Sequence, residues 1–285
     1  MELNILCIGD VVGRAGRAVI QQTLPALITD HNIDFVVCNA ENAAGGSGIT
    51  PQIVKKIIDW GVDVVTLGDH SFRKKDIHET LDDEEIILRP VNFPNRAVGH
   101  GTCLVKTKSG KATVAVCSIL GQYNMHTHAD NPWEALDKFA AEAEHADISI
   151  VDFHAETTSE KIAMGWHADG KVSVVFGTHT HVPTADSRVL PCGTAFICDV
   201  GMTGPYDSVL GRRKDRVVKH MVTQLPQKFD VALTDPRMYA LKVTVDTDSG
   251  NAKSCQLLLT RCKAPSGGPV DNDDFDKAFQ RHGKK

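Results

Sequence analysis

The sequence predicts an α/β sandwich, one domain whose facing layers draw strands from both ends of the chain. Three observations predict it. Short apolar runs alternate with helical patterns through the first 90 residues, which implies βαβ units and a parallel sheet. Beyond Pro90 the pattern turns to hairpins interleaved with further strand–helix pairs. The polar residues suited to chemistry fall just past the carboxyl ends of the expected strands, the edge where open α/β sheets bind ligands.

The elements follow in order. Leu3–Ile8 is apolar and stops at Gly9-Asp10, as a buried parallel strand does. Arg14–Thr29 carries apolar residues at helical spacing, and Asp34–Asn39 reads as the second strand. Thr50-Pro51 suits an N-cap followed by proline at the first helical position, opening a helix to Trp60. Val62–Leu67 and Glu85–Leu88 are further strands. Thr102–Thr107 and Ala112–Ile119 form a hairpin about Lys108-Ser109-Gly110-Lys111. A helix over Pro132–His145 leads to the strand Ile148–Phe153, and a helix over Thr158–Asp169 leads to the strand Val172–Phe176. Ser187–Leu190 with Thr194–Cys198, and Tyr239–Asp246 with Ala252–Thr260, complete the set as antiparallel pairs. The domain is expected over 1–265, with a polar tail over 266–285.

Composition narrows the function. A net charge of −5 and a pI near 6.2 argue against broad nucleic-acid binding, which draws on basic surface. No run approaches the ~18 apolar residues of a membrane helix, and MELNILCIGD lacks the basic and cleavable features of a signal peptide. The eight cysteines show no C-x-x-C and several lie in apolar runs, so they read as small buried hydrophobes of a reducing, cytoplasmic compartment.

Asp10 follows the first expected strand, Glu41-Asn42 the second and Asp69-His70 the third; His154 follows Ile148–Phe153, and His179-x-His181 follows Val172–Phe176. Carboxylate oxygen and imidazole nitrogen without thiolate suit a hard or borderline divalent ion. Six such ligands, Asp10, Glu41, Asp69, His154, His179 and His181, suit two ions, with Glu41 able to bridge. Two ions ~3.5–4 Å apart clamp a phosphoryl group and generate hydroxide at neutral pH. His126 and His128 form a similar pair but sit in a loop with no strand directly ahead, so they rank below the six. The loop Gly9–Gly16 departs from G-x-G-x-x-G, and Ala43–Gly48 lacks the Gly-Lys-Ser/Thr ending of a P-loop, so neither dinucleotide nor nucleoside-triphosphate binding is expected.

Six motifs in order, GDVVGRAGR, NAENAAGGSGIT, TLGDHSF, DFHAETTSEKIAMGW, GTHTHVPTAD and DVGMTGPYDSVLG, resemble the YmdB-like branch of the calcineurin-type metallophosphoesterases. The resemblance implies a bacterial enzyme with a four-layer α/β/β/α sandwich and a di-iron or di-manganese centre. It also implies hydrolysis of 2′,3′-cyclic nucleotides by metal-bound hydroxide, and a homo-oligomer. By the same resemblance, Asp10, Glu41 and His181 hold one ion, and Glu41, Asp69, His154 and His179 the other. Asn42 lies beside the site, able to meet a metal or a phosphate oxygen, and His70 is the general acid. A phosphomonoesterase or nucleotidase on the same centre, or a metal-binding regulatory protein with little turnover, are the alternatives. One departure bears on the chemistry: the family pattern Gly-Asn-His-x-Trp reads Gly68-Asp69-His70-Ser71-Phe72 here. Asparagine leaves a pair of divalent ions, two carboxylates and a hydroxide with one net positive charge, whereas Asp69 makes the sum zero. A neutral centre is expected to attract a phosphodiester less and to tolerate a ferric ion more.

Overall fold

The computed structural model describes residues 1–265; the polar tail expected over 266–285 lies outside the described residues. Two sheets face each other. The first holds β1 (Glu2–Ile8), β2 (Phe35–Asn39), β3 (Val64–Thr66), β4 (Ile87–Leu88), β11 (Thr203–Pro205), β12 (Pro236–Asp246) and β13 (Ala252–Arg261). Strands β1 to β4 run parallel, while β12 joins β1 antiparallel in the register Glu2↔Asp246 to Ile8↔Ala240. The N- and C-terminal stretches of the domain therefore meet in one sheet. The second runs β5 (Thr102–Lys106), β6 (Thr113–Leu120), β7 (Ile148–His154), β8 (Val174–Thr178), β10 (Ala195–Ile197), β9 (Arg188–Val189), with β6, β7, β8 and β10 parallel.

Side-chain alternation explains the layering. On β1, Leu3, Ile5 and Cys7 enter the core between the sheets, while Leu6 and Ile8 pack under α1 (Gly13–Asp30) and α2 (Pro51–Asp59). On β7, Ile148 and Ile150 face the first sheet, and Val151 and Phe153 face α4 (Pro132–Glu142) and α5 (Thr158–Ala168). Strands covered on both faces are largely apolar, which is why these runs read as nearly continuous despite Asn4 in β1 and Ser149 and Asp152 in β7. The result is the four-layer α/β/β/α sandwich.

Several boundaries differ from expectation. The strand expected from Val172 begins at Val174, and the helix expected to reach His145 ends at Glu142. Thr50 occupies the N-cap position of α2 in extended conformation, but its side chain makes no capping bond. Three elements were not anticipated: α3 (His78–Asp83) with the short turn of 3₁₀ helix before it, β11, and α6 (Lys214–Thr223). Among the α6 residues only Val217 is buried; the short stripe Val217, Val218, Met221 and Val222 is mostly left on the surface.

Candidate metal centre

The alternation that builds the inter-sheet core also builds the site. Following the inward-facing parity outward, Phe35 and Val37 lead to Asn39, Val64 to Thr66, Ile148 and Ile150 to Asp152 and His154, and Val174 and Phe176 to Thr178. The core between the sheets thus turns polar at the carboxyl ends of its strands. Asp152 ties the polar layer together: it accepts hydrogen bonds from Thr66 Oγ1 (2.5 Å), Asn39 Nδ2 (2.9 Å) and Thr178 Oγ1 (2.6 Å), joining both sheets. Burial raises the Asp152 carboxyl to about 6 against the pull of His154 and these three donors.

Above this layer the residues singled out from the sequence converge. His154, fully buried, has Nε2 3.1 Å from Asp69 Oδ1 and 3.5 Å from Glu41 Oε1. His179 Nδ1 lies 3.0 Å from the same Nε2 and 3.5 Å from Asp69 Oδ1. Asp10 receives the His179 backbone N–H on Oδ2 at 3.0 Å. Three overlapping triads bring their ligand atoms within 4.8 Å of one another: Asp69, His154 and His179; Asp10, Glu41 and His154; and Glu41, Asp69 and His70. His181 stands slightly apart, in none of these triads, with Nε2 3.8 Å from Asp10 Oδ1 and 3.3 Å from Asn42 Nδ2. Asn42 links the two sides: its carbonyl oxygen meets His70 Nδ1 at 2.8 Å, and its amide donates to Glu41 Oε1 at 3.2 Å. Among the described residues, no triad includes His126 or His128.

Local backbone shapes this geometry. A Cβ on Gly68 would lie 2.3–2.5 Å from the His154 ring, so only glycine lets the loop before Asp69 run against that imidazole. His179 and His181 both adopt left-handed backbone, with φ of 93° and 65°. For non-glycine residues this costs on the order of 1–3 kcal/mol each, and it persists only where surroundings hold it.

The donor set fits divalent cations. The Asp10 Oδ1 atom is buried and has no hydrogen-bond partner, as expected of an oxygen aimed at an ion. Without a cation, protons do the compensating. Burial opposes charge on His154, yet Glu41, Asp69 and Asp10 push it up to about 10. Burial likewise opposes charge on His70, but Glu41 and Asp69 hold it above its ordinary value. Burial raises the Asp69 carboxyl, and the hydrogen bonds of His154 and His179 outweigh it, leaving Asp69 well below the carboxylate range. Glu41 is lowered in the same way, burial being overcome by His154 and His70. A bound divalent ion would replace these protons.

Sequence reasoning passed over the groups that orient the ligands. His179 Nε2 is 3.2 Å from Glu156 Oε2, which leaves Nδ1 for the centre. His181 Nδ1 donates to the Leu210 carbonyl at 3.1 Å, which leaves Nε2, and His154 Nδ1 is 2.9 Å from Thr178 Oγ1. Partners of this kind fix the tautomer and direction of metal-binding histidines. Asp152, a charged residue inside a mainly apolar strand, was the one sequence signal of that outer layer.

Comparison with known proteins identifies the family. A family model described as YmdB-like protein matches residues 6–258. The chain is 42% identical over 258 residues to the 2′,3′-cyclic-nucleotide 2′-phosphodiesterase of Bacillus subtilis (strain 168), covering 90% of this chain and 97% of that protein. It superposes with a TM-score of 0.87 on the crystal structure of a novel phosphatase from Mycoplasma pneumoniae, 30% identical and covered to 97% in both chains. A hypothetical protein from Thermus thermophilus gives a TM-score of 0.84 at 34% identity, covering 92% of this chain and all of that one. With a family match across nearly its whole length, and relatives this similar in sequence and fold, the chain belongs to the YmdB-like family of metallophosphoesterases.

Proposed function

We propose that this protein is a metal-dependent phosphodiesterase that opens 2′,3′-cyclic nucleotides. The observation that carries the reading is the convergence of Asp10, Glu41, Asp69, His154, His179 and His181 from five strand ends of two sheets. The Bacillus relative, named for that activity, supplies the substrate class. Asp10, Glu41 and His181 would hold one ion, and Glu41, Asp69, His154 and His179 the other. When bound, the pair supplies Lewis acidity to the phosphoryl oxygens and activates water for in-line attack.

The chain's own groups complete the reaction. His70 is held at Nδ1 by Asn42 Oδ1, with Glu41 Oε1 3.1 Å away. Glu41 and Asp69 raise its proton affinity above that of an ordinary imidazole, which favours the protonated form a general acid requires. As the bond from phosphorus to the ribose 2′-oxygen breaks and the bond to the water oxygen forms, His70 gives its proton to the departing oxygen. Asn42, beside His181 and Glu41, can meet a phosphate oxygen or a metal.

Iron or manganese suits a donor set of oxygen and nitrogen without thiolate. Eight free cysteines, four of them buried, support a reducing cytoplasm, and no described helix is long and apolar enough to cross a membrane. A bacterial source, a homo-oligomeric state and a single domain over 1–265 complete the proposal. The Mycoplasma neighbour, described as a phosphatase, favours phosphomonoesterase activity as the second reading. Rates on 2′,3′-cyclic nucleotides, 3′,5′-cyclic nucleotides and nucleoside monophosphates, each with a chelator control, separate the two. Fastest turnover of the 2′,3′-cyclic substrates is expected, and preference for monoesters would overturn the primary reading.

A further inference from the structure

Behind the two left-handed histidines lies a fully buried ion pair that ligates nothing. Lys161 on α5 and Asp199 just beyond β10 are each 1% exposed at the side chain. Lys161 Nζ donates to Asp199 Oδ2 and to the Thr178 carbonyl, both at 2.5 Å. Asp199 Oδ2 also accepts from the Thr180 backbone N–H at 3.1 Å and from Thr180 Oγ1 at 2.8 Å, while Oδ1 accepts from the Gly201 N–H at 2.7 Å.

Burying an amine and a carboxylate is costly, and well-packed apolar residues generally stabilise a core as well or better. Stability alone is therefore a weak reason for this pair. Its contacts give a better one. Thr180 is the residue between His179 and His181, and Thr178 directly precedes His179. The pair thus grips the strained segment at two backbone groups and one hydroxyl. Three donors share a single Asp199 oxygen, which an ionised acceptor accommodates better than a neutral amide because charge-assisted bonds are shorter and stronger. Lys161 offsets that charge and reaches the Thr178 carbonyl with the same ammonium.

We propose that the Lys161–Asp199 pair is a positioning device that clamps Thr178 and Thr180 and thereby presents the His179 and His181 imidazoles to the metal centre. The role rests on the metal-binding reading given above. The pair touches neither substrate nor ion; it acts through the backbone of the His-Thr-His segment.

The test compares two variants of the full chain. Lys161→Met combined with Asp199→Asn removes both charges at once, so no buried charge is left unpaired. Thr180→Val removes only the hydroxyl's bonds, the one to Asp199 and a long one from the Val182 N–H. Mn²⁺ affinity is measured on the chelator-treated protein, alongside denaturant unfolding and amide hydrogen exchange at Thr180 and His181. A purely structural pin would shift the unfolding midpoint and leave Mn²⁺ affinity of the folded protein unchanged. The positioning role predicts a Kd for Mn²⁺ at least tenfold weaker in the double variant and severalfold weaker in Thr180→Val, with faster exchange at both amides. Parental affinity in both variants overturns the inference. Should the parent itself bind no Mn²⁺, the metal-centre reading fails, and hydrogen exchange alone then decides the clamp: unchanged exchange in both variants refutes it. Should the double variant not fold, Thr180→Val decides by the same two measurements.

Discussion

Replacing Glu41 by glutamine removes one negative charge at the heart of the site while keeping the side chain's shape. Glu41 is 1% exposed, and its Oε1 lies 3.1 Å from His70 Nδ1 and 3.5 Å from His154 Nε2. A unit charge about 3.5 Å from another, at the effective dielectric of about 20 that suits protein sites, is worth about 5 kcal/mol. A cation at the ligand positions would lose an attraction of that order, roughly three decades in Kd. The fold should survive, because glutamine can still accept the His70 backbone N–H that Glu41 Oε2 now accepts at 3.0 Å. The assay is Mn²⁺ titration of chelator-treated protein whose circular dichroism matches the parent. A folded Glu41→Gln protein that binds Mn²⁺ within tenfold of the parent would defeat this line of thought, because a bridging carboxylate could not then be central to the site.

Other consequences follow from the same geometry. Asp69→Asn should add one positive charge to the loaded centre, raising kcat/KM on a 2′,3′-cyclic nucleotide tenfold for each ~1.4 kcal/mol gained and lowering ferric content; the charge argument fails if kinetics and metal analysis both stay put. His70→Ala should keep both ions yet lose roughly 10²–10⁴-fold in rate, and turnover at the parental rate would remove His70 from the acid role. His154 is raised from 6.5 to about 10 in the metal-free protein, so its stabilising contribution is complete below about pH 6.5 and lost as pH rises through 10. Cation binding must displace that proton, so Mn²⁺ affinity should rise with pH across this window, and calorimetry in buffers of different ionisation enthalpy should show proton release. Gly68→Ala should drive a methyl into the His154 ring and weaken Mn²⁺ binding well beyond any change in folding, as paired titration and urea unfolding would reveal.

Much of the fold was legible because both sheets are covered on both faces. Leu3–Ile8 and Ile148–Phe153 are mainly apolar, with Asn4, Ser149 and Asp152 the exceptions, and such runs stand out without a periodicity argument. Asp10, Glu41, Asp69, His154 and His179 were legible because each stands where an apolar run stops, and the strand ends gather them. The elements that escaped notice lack these signals. β11 pairs only three residues with β12, too few to register as a pattern, and α6 lies on the surface with one buried residue. The supporting groups were hidden for a different reason. Glu156, half exposed, resembles any surface carboxylate until His179 turns its Nε2 toward it. Lys161 and Asp199 sit 38 residues apart, on a helix and beyond a strand, and only the packing of α5 over the interior strand β8 shows that they meet.

Everything in this chemistry depends on where the cations sit, and anomalous scattering from crystals of the Mn²⁺-loaded protein would locate them. Two peaks ~3.5–4 Å apart, enclosed by Asp10, Glu41, Asp69, His154, His179 and His181 with Glu41 between them, are expected. No peak there, or ions bound only elsewhere on the chain, would contradict the assignment of these six residues as a metal centre.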